Sequence, residues 1–256
     1  MKQAIINKIR RNNPLIHHLT NQVVMNFTAN GLLAFGGSPV MAKSEKEARQ
    51  IATAADGVLI NIGTLTEQEL PAMIAAGQAA NDQNIPVVLD PVGVSATPFR
   101  SESVQKILNQ VAITVIKGNP GEMAHLVDIP WQTKGVDSIG SGNVDEIALK
   151  VATIYQTTAV VTGVVDVIHT GNHIIRNNID QPILTKITGA GCLLGSILTA
   201  CLTTNDPIEN QVETAVIFYT LAARFAFSQP HVSGPGTFLP HFIDALSLDL
   251  LTLEGS

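Results

Sequence analysis

The sequence predicts an α/β fold with a mostly parallel central sheet and helices on both faces. Three observations carry that expectation. Short β-branched runs alternate with helical patterns through Gly118, several of those runs are apolar without a break, and hydrophobic residues make up 45% of the chain against 14% charged.

Each element follows from its residues. Pro14 to His17 reads as a strand, Asn21 to Phe35 as a helix, Pro39 to Ala42 as a buried strand and Ser44 to Ala55 as a helix. Ser44 with Glu47 makes a capping box that fixes where this helix begins. Gly57 to Gly63 (GVLINIG) is a strand, Leu70 to Asp82 a helix, and Pro86 to Asp90 (PVVLD) a strand suited to cover on both faces. A helix near Ser101 to Leu108 leads into Ile113 to Gly118 (ITVIKG), and right-handed crossovers should join these strands. Beyond Asn143 come a helix from Val144 to Gln156, a strand from Ala159 to Gly163, and a hairpin of Val165 to Thr170 with His173 to Arg176, turned at Gly171-Asn172. Gly189 to Leu202, Pro207 to Phe227 and Thr237 to Leu253 read as helices. No repeat, low-complexity tract or flexible linker divides the chain, so one domain over residues 1–256 is expected.

Composition narrows the function. Charged residues usually make up roughly 25% of a domain, so 14% leaves more apolar surface than a monomer needs to bury, and an oligomer is expected. A net charge of -6 without any run of Lys or Arg argues against nucleic-acid or anionic-membrane partners and favours small soluble ligands. The first 13 residues have no apolar signal-like core, and nowhere do eighteen apolar residues run together, so a cytoplasmic protein is expected. Cys192 and Cys201 fall in one predicted helix, about 13 Å apart at 1.5 Å rise per residue, which is beyond disulfide reach.

Ligands of open α/β sheets bind beyond the carboxyl ends of the strands, so residues that directly follow strands are the candidates. Three segments qualify: Asp90-Pro91-Val92-Gly93, Lys117-Gly118-Asn119-Pro120-Gly121-Glu122 and Thr188-Gly189-Ala190-Gly191-Cys192. In the last, two glycines around Ala190 open an apolar helix. Its N–H groups can approach an anion with no Cβ in the way, although close helix-to-sheet packing explains the same residues. No Walker A pattern is present, and the spacing from Gly191 to Gly195 does not suit a dinucleotide fingerprint. Asp90 and Glu122 can hold Mg²⁺ beside phosphates, or act as a cap and a dipole-complementing helix residue. Lys117 can pair with a phosphate oxygen or serve as a surface charge. The seven histidines, among them His17 and His18, show no metal-ligand spacing. Met25, Met41 and Met73 read as core or pocket-wall fillers.

Taken together, HHLTNQVVMNFTANGLLAFGGSPVMA, VVLDPVG, IKGNPGE, VVTGVVD and TGAGCLLG resemble, in order and across most of the chain, the hydroxyethylthiazole kinases of the ribokinase-like superfamily. The amino-terminal stretch is the most specific, since GAG-type loops occur throughout that superfamily. The resemblance implies a three-layer sandwich and ATP-dependent phosphorylation of the primary alcohol of 4-methyl-5-(2-hydroxyethyl)thiazole for thiamine salvage, with Mg²⁺. It also implies a homotrimer with active sites between subunits. By position it assigns Asn21, Val23, Met41 and Gly189 to the thiazole, Lys117, Asn119 and Thr162 to ATP, and Asp90 with Glu122 to Mg²⁺. It also implies that Gly189, Ala190, Gly191 and Cys192 form the catalytic loop.

Most of the superfamily closes that loop with an Asp base, whereas this chain has Cys192. An ordinary thiol is only a few per cent ionised at pH 7, so requiring thiolate would cost roughly 2 kcal/mol. Two other readings remain open on sequence alone: a sibling kinase for hydroxymethylpyrimidine or pyridoxal, and a non-catalytic sensor of thiazole or nucleotide.

Overall fold

Strands with four or five consecutive buried residues need cover on both sides, and the chain supplies it from alternating helices. The computed structural model describes residues 1–131, 133–134, 137–138 and 142–255. The chain opens with α1 (Lys2–Asn12), β1 (Leu15–Leu19), α2 (Met25–Phe35), β2 (Ser38–Val40), α3 (Glu45–Ala54), β3 (Gly57–Asn61) and α4 (Leu70–Asp82). It continues with β4 (Val87–Asp90), α5 (Pro98–Leu108), β5 (Val115–Gly118), α6 (Pro120–Leu126), the short β6 (Thr133–Lys134) and β7 (Asp137–Ser138), and α7 (Val144–Tyr155). Then come β8 (Thr158–Val161), β9 (Asp166–His169), β10 (Ile174–Asn177), α8 (Ala190–Cys201), α9 (Ile208–Phe227), α10 (Pro235–Ala245) and α11 (Leu250–Glu254).

The main sheet has eight strands in the order β10-β9-β8-β5-β4-β3-β1-β2. From β8 to β2 every neighbouring pair is parallel, while β9 runs antiparallel to β8 and β10 to β9. Helices cover both faces. On one, Ile16, Leu59, Val88 and Val115 pack against Ile5, Leu32, Leu193, Phe218 and Phe238 of α1, α2, α8, α9 and α10. On the other, Val58, Ile60, Leu89 and Ile116 pack against Met73, Ile107, Met123 and Ile147 of α4, α5, α6 and α7. The result is the three-layer α/β sandwich expected from the buried runs. No helix among the described residues is long and apolar enough to cross a membrane.

One helix goes unread in the sequence, and three expectations need correction. The amino-terminal segment carries α1, whose Ile5, Ile6 and Ile9 are fully buried. Their helical spacing is the signal that the surrounding Lys, Arg and Asn obscured. Strand β2 is half-buried and shorter than Pro39 to Ala42, because it lies at the sheet edge, where Pro39 is tolerated. Ser44 occupies the N-cap position of α3, but its exposed side chain makes no capping bond; the first-turn N–H groups of Glu47 and Ala48 use its carbonyl instead. The helix expected over Thr237 to Leu253 is two, since Arg10 draws the Leu246 and Leu248 carbonyls and the Asp249 carboxylate to itself between α10 and α11.

Parallel strands present their carboxyl ends along one edge. Reading across it, Asn21 follows β1, Asn61 ends β3, Asp90 ends β4, Lys117 and Asn119 close β5, and Thr162 follows β8. Strand order thus sets these residues side by side although they are far apart in sequence.

Candidate active site

A row of polar contacts runs along that edge. Asn21 Nδ2 donates to Asn61 Oδ1 across 3.0 Å, and Asn61 Nδ2 donates to Asp90 Oδ2 across 2.7 Å. Lys117 Nζ donates to Asp90 Oδ1 across 3.0 Å, and Thr162 N–H donates to the Gly118 carbonyl across 2.9 Å. Asp90 is fully buried and Lys117 nearly so, which makes theirs an interior ion pair.

The row leads to the opening of α8. Gly189 caps the helix with a left-handed φ of 90°, and a Cβ there would lie 2.8 Å from Val24 Cβ, so glycine is required twice over. A Cβ on Gly191 would lie 3.2 Å from Lys117 Nζ. Gly191 is exposed and Gly189 and Ala190 are half-buried, so the loop's backbone faces outward, and the first-turn N–H groups have no carbonyl within the helix to bond. Its carbonyls are fixed from behind: Lys117 Nζ donates to Gly191 O at 3.0 Å, and Tyr219 OH donates to Ala190 O at 2.6 Å. An open, anchored turn of this kind suits an anion.

Cys192 Sγ lies at the meeting point, 3.2 Å from Asn61 Nδ2 and 3.4 Å from Asn21 Nδ2. Burial, with Asp90 adding to it, pushes the thiol up to about 11, so it is protonated near neutral pH. Burial likewise raises Asp90, against the pull of Lys117 and Asn61. Burial opposes the Lys117 charge, but Asp90, Cys192 and Glu122 together hold its pKa above the ordinary lysine value. These directions favour different states of the pair; the 3.0 Å contact and the extra Asn61 donor favour the ionised one.

Glu122 sits in a true capping box: Asn119 Oδ1 accepts from Glu122 N–H at 2.9 Å while Glu122 Oε2 accepts from Asn119 N–H at 2.8 Å. Its other oxygen accepts from Gly93 N–H at 2.9 Å, joining the loops after β4 and β5. Burial and the nearby Asp90 push this carboxyl up to about 7.

The structure therefore brings together Asn21, Asp90, Lys117, Glu122 and the loop from Gly189 to Cys192. Met41 is half-buried just past β2, and Val23 stands out from the surface with 69% of its area exposed. Sequence reading missed Asn61, on which β3 ends, and Tyr219, whose hydroxyl reaches the loop from α9. It also missed Arg100, whose guanidinium binds the Ile62, Gly63 and Val92 carbonyls behind the site. A polar residue at the carboxyl end of a buried parallel strand was the available signal for Asn61. The two histidines resolve as buried structural groups: His17 Nε2 contacts the Ala42 carbonyl and His18 Nε2 contacts Ser196 Oγ.

A protein-family comparison decides what kind of site this is: the model of the hydroxyethylthiazole kinase family matches residues 6–251. The chain belongs to that family. It is 59% identical to hydroxyethylthiazole kinase 1 of Oceanobacillus iheyensis over 247 residues, covering 96% of both chains. Its structure superposes on that of a hydroxyethylthiazole kinase from Pyrococcus horikoshii with a TM-score of 0.88 at 31% identity, covering 100% of this chain and 96% of that one. A ribokinase-like superfamily protein from Enterococcus faecalis, 12% identical, superposes with a TM-score of 0.67 over 96% of this chain and 94% of that one, a likeness of fold alone. In this hydroxyethylthiazole kinase family member the first turn of α8 thus carries a cysteine held between two carboxamides.

Proposed function

We propose that this chain transfers the γ-phosphoryl group of ATP to the primary alcohol of 4-methyl-5-(2-hydroxyethyl)thiazole, acting in the cytoplasm as one kinase domain over residues 1–256. The reading is carried by one observation: the polar row from Asn21 to Lys117 ends at the outward-facing Gly189-Ala190-Gly191 turn. An alcohol placed at the Asn21 end would meet a phosphate resting on the turn. Val23, Met41 and Gly189 would line the thiazole side, and Lys117, Asn119 and Thr162 the nucleotide side.

The loop N–H groups and Lys117 stabilise charge on the transferring group, and α8 contributes its positive end. Such transfer passes through a loose transition state that asks little of the nucleophile, so no strong base is needed at Cys192. Mg²⁺ fits the donor set. Asp90 and Glu122 are hard oxygen donors, and Asp90 helps drive Glu122 upward, a charge conflict that a cation relieves. Among the described residues no group of three or more His, Cys, Asp or Glu could hold a metal, which suits an ion that arrives with its nucleotide. When bound, the ion neutralises phosphate charge. Asp90 and Glu122 would hold it while Lys117 keeps Asp90 ionised.

The working form is a homotrimer with active sites between subunits. Val23 supports this, because a substrate-lining residue that is 69% exposed in one chain needs a second copy to enclose it. Purified protein incubated with the thiazole alcohol, ATP and Mg²⁺ should yield the phosphate ester by mass spectrometry. Ligand-dependent stabilisation without product would mark a sensor instead. Light scattering should give three chains per particle, and a fully active monomer would contradict the shared pocket.

A further inference from the structure

Asn61 is 1% exposed, and both polar atoms of its side chain are in use. Oδ1 accepts from Gly63 N–H at 3.0 Å and from Asn21 Nδ2 at 3.0 Å. A backbone N–H can only donate, so the amide oxygen must face Gly63, and the orientation of the carboxamide is fixed. Nδ2 is therefore directed at Asp90 Oδ2 and Cys192 Sγ, one hydrogen for each. Asn21 Nδ2 directs a second amide at the same sulfur. A thiol that accepts from two amides on its protein side has its own hydrogen turned away from them.

We propose that Asn61 is a positioning residue for phosphoryl transfer. Its carboxamide steadies Asp90, links it to the Asn21 side of the site, and occupies the Cys192 sulfur so that the thiol hydrogen faces the reacting hydroxyl. This rests on the kinase reading above. The thiol then acts as a donor that aims an oxygen lone pair at phosphorus. As the new O–P bond forms and the bond to ADP breaks, the hydroxyl proton passes to a phosphate oxygen and on to solvent, and the sulfur keeps its own proton.

Asn61→Asp tests this, because it preserves side-chain size and the acceptor for Gly63 while replacing both donors with an acceptor. We expect kcat to fall by about tenfold or more with the KM for the thiazole alcohol within about threefold. The second readout needs no substrate: alkylation of Cys192 by iodoacetamide in the ligand-free protein, followed by peptide mass spectrometry. Losing the N–H donor and gaining a carboxylate should slow alkylation by about fivefold or more. Mere loosening of the site would speed it. A rate equal to or above that of the unaltered protein overturns the proposal.

If Asn61→Asp does not fold, Asn61→Ser replaces it in a double-mutant cycle. Its fold-loss in kcat should shrink by about threefold or more in a Cys192→Ala background, and equal losses in both backgrounds overturn the proposal. Unaltered protein that forms no phosphate ester defeats the kinase reading itself. Active unaltered protein with an indifferent Asn61 variant defeats only the role of Asn61.

Discussion

Lys117 Nζ donates to the carbonyl oxygen of Gly191 across 3.0 Å, tying the end of β5 to the first turn of α8. The same ammonium group pairs with Asp90 at 3.0 Å, so one buried charge fixes both the carboxylate and the loop. Lysine's three donors permit this; a neutral chain of equal length would leave Asp90 buried without a counter-charge.

Lys117→Met should therefore be costly in two ways. Stranding Asp90 should lower unfolding free energy by about 3–5 kcal/mol. Freeing the loop and removing its charge should cut kcat by about a hundredfold. Urea unfolding and steady-state kinetics check the two separately, and a stable variant with near-normal kcat would show that Lys117 serves neither purpose.

Cys192→Ala should turn over slowly yet measurably, and Cys192→Asp should remain active. With the thiol pushed up to about 11, forming thiolate at pH 7 would cost roughly 5 kcal/mol, more than an ordinary cysteine would demand. The rate of the unaltered enzyme should thus stay level between pH 7 and about 9. A tenfold rise per pH unit would make the thiolate an obligatory base.

Gly189→Ala should lose both stability and activity. Its left-handed φ of 90° costs a side chain about 1–2 kcal/mol, and the new methyl would meet Val24. Val24→Gly in the same chain should make the loss of denaturation midpoint caused by Gly189→Ala smaller, because it removes the Val24 Cβ that the new methyl meets while leaving the backbone strain. No recovery would mean that Val24 does not set the limit.

His18 predicts an acid limit to stability. Burial lowers its pKa from 6.5 to about 4, against backbone contacts with Ile16 and Val40. The unfolded chain binds a proton near pH 6.5 while the folded chain resists until about 4. The neutral ring's contribution is fully present above 6.5 and is lost as pH falls through that window, to a total of roughly 3 kcal/mol. Unfolding free energies measured across the window should slope less in His18→Gln, and equal slopes would exclude His18 as the source.

Most of the layered architecture was legible because buried parallel strands write unbroken apolar runs, as in β3, β4 and β8, all fully buried. The hairpin at Gly171 was legible because Gly171-Asn172, with Gly171 in the left-handed region, stands as a two-residue turn between two β-branched runs. Helix α1 was not, since three buried isoleucines are outnumbered by polar neighbours. The break before α11 was not, because it depends on Arg10, more than 230 residues away. Within the site, Asp90 and Lys117 stood out as charges at strand ends and the GAG turn as paired glycines opening an apolar helix, although a 3-10 turn over Pro182–Lys186, and not the expected strand, leads into it. Asn61 did not, because an uncharged amide at a strand end is a weaker signal than a charge or a glycine pair until strand order sets it between Asn21 and Asp90.

Gly189 leaves no room for a Cβ beside Val24, so the turn after β1 closes tightly on the start of α8. Any tightening that one reactant imposes on its turn is felt at the other, so alcohol and nucleotide should bind synergistically. Reciprocity then requires that the factor by which either partner sharpens its companion's dissociation constant be returned in full.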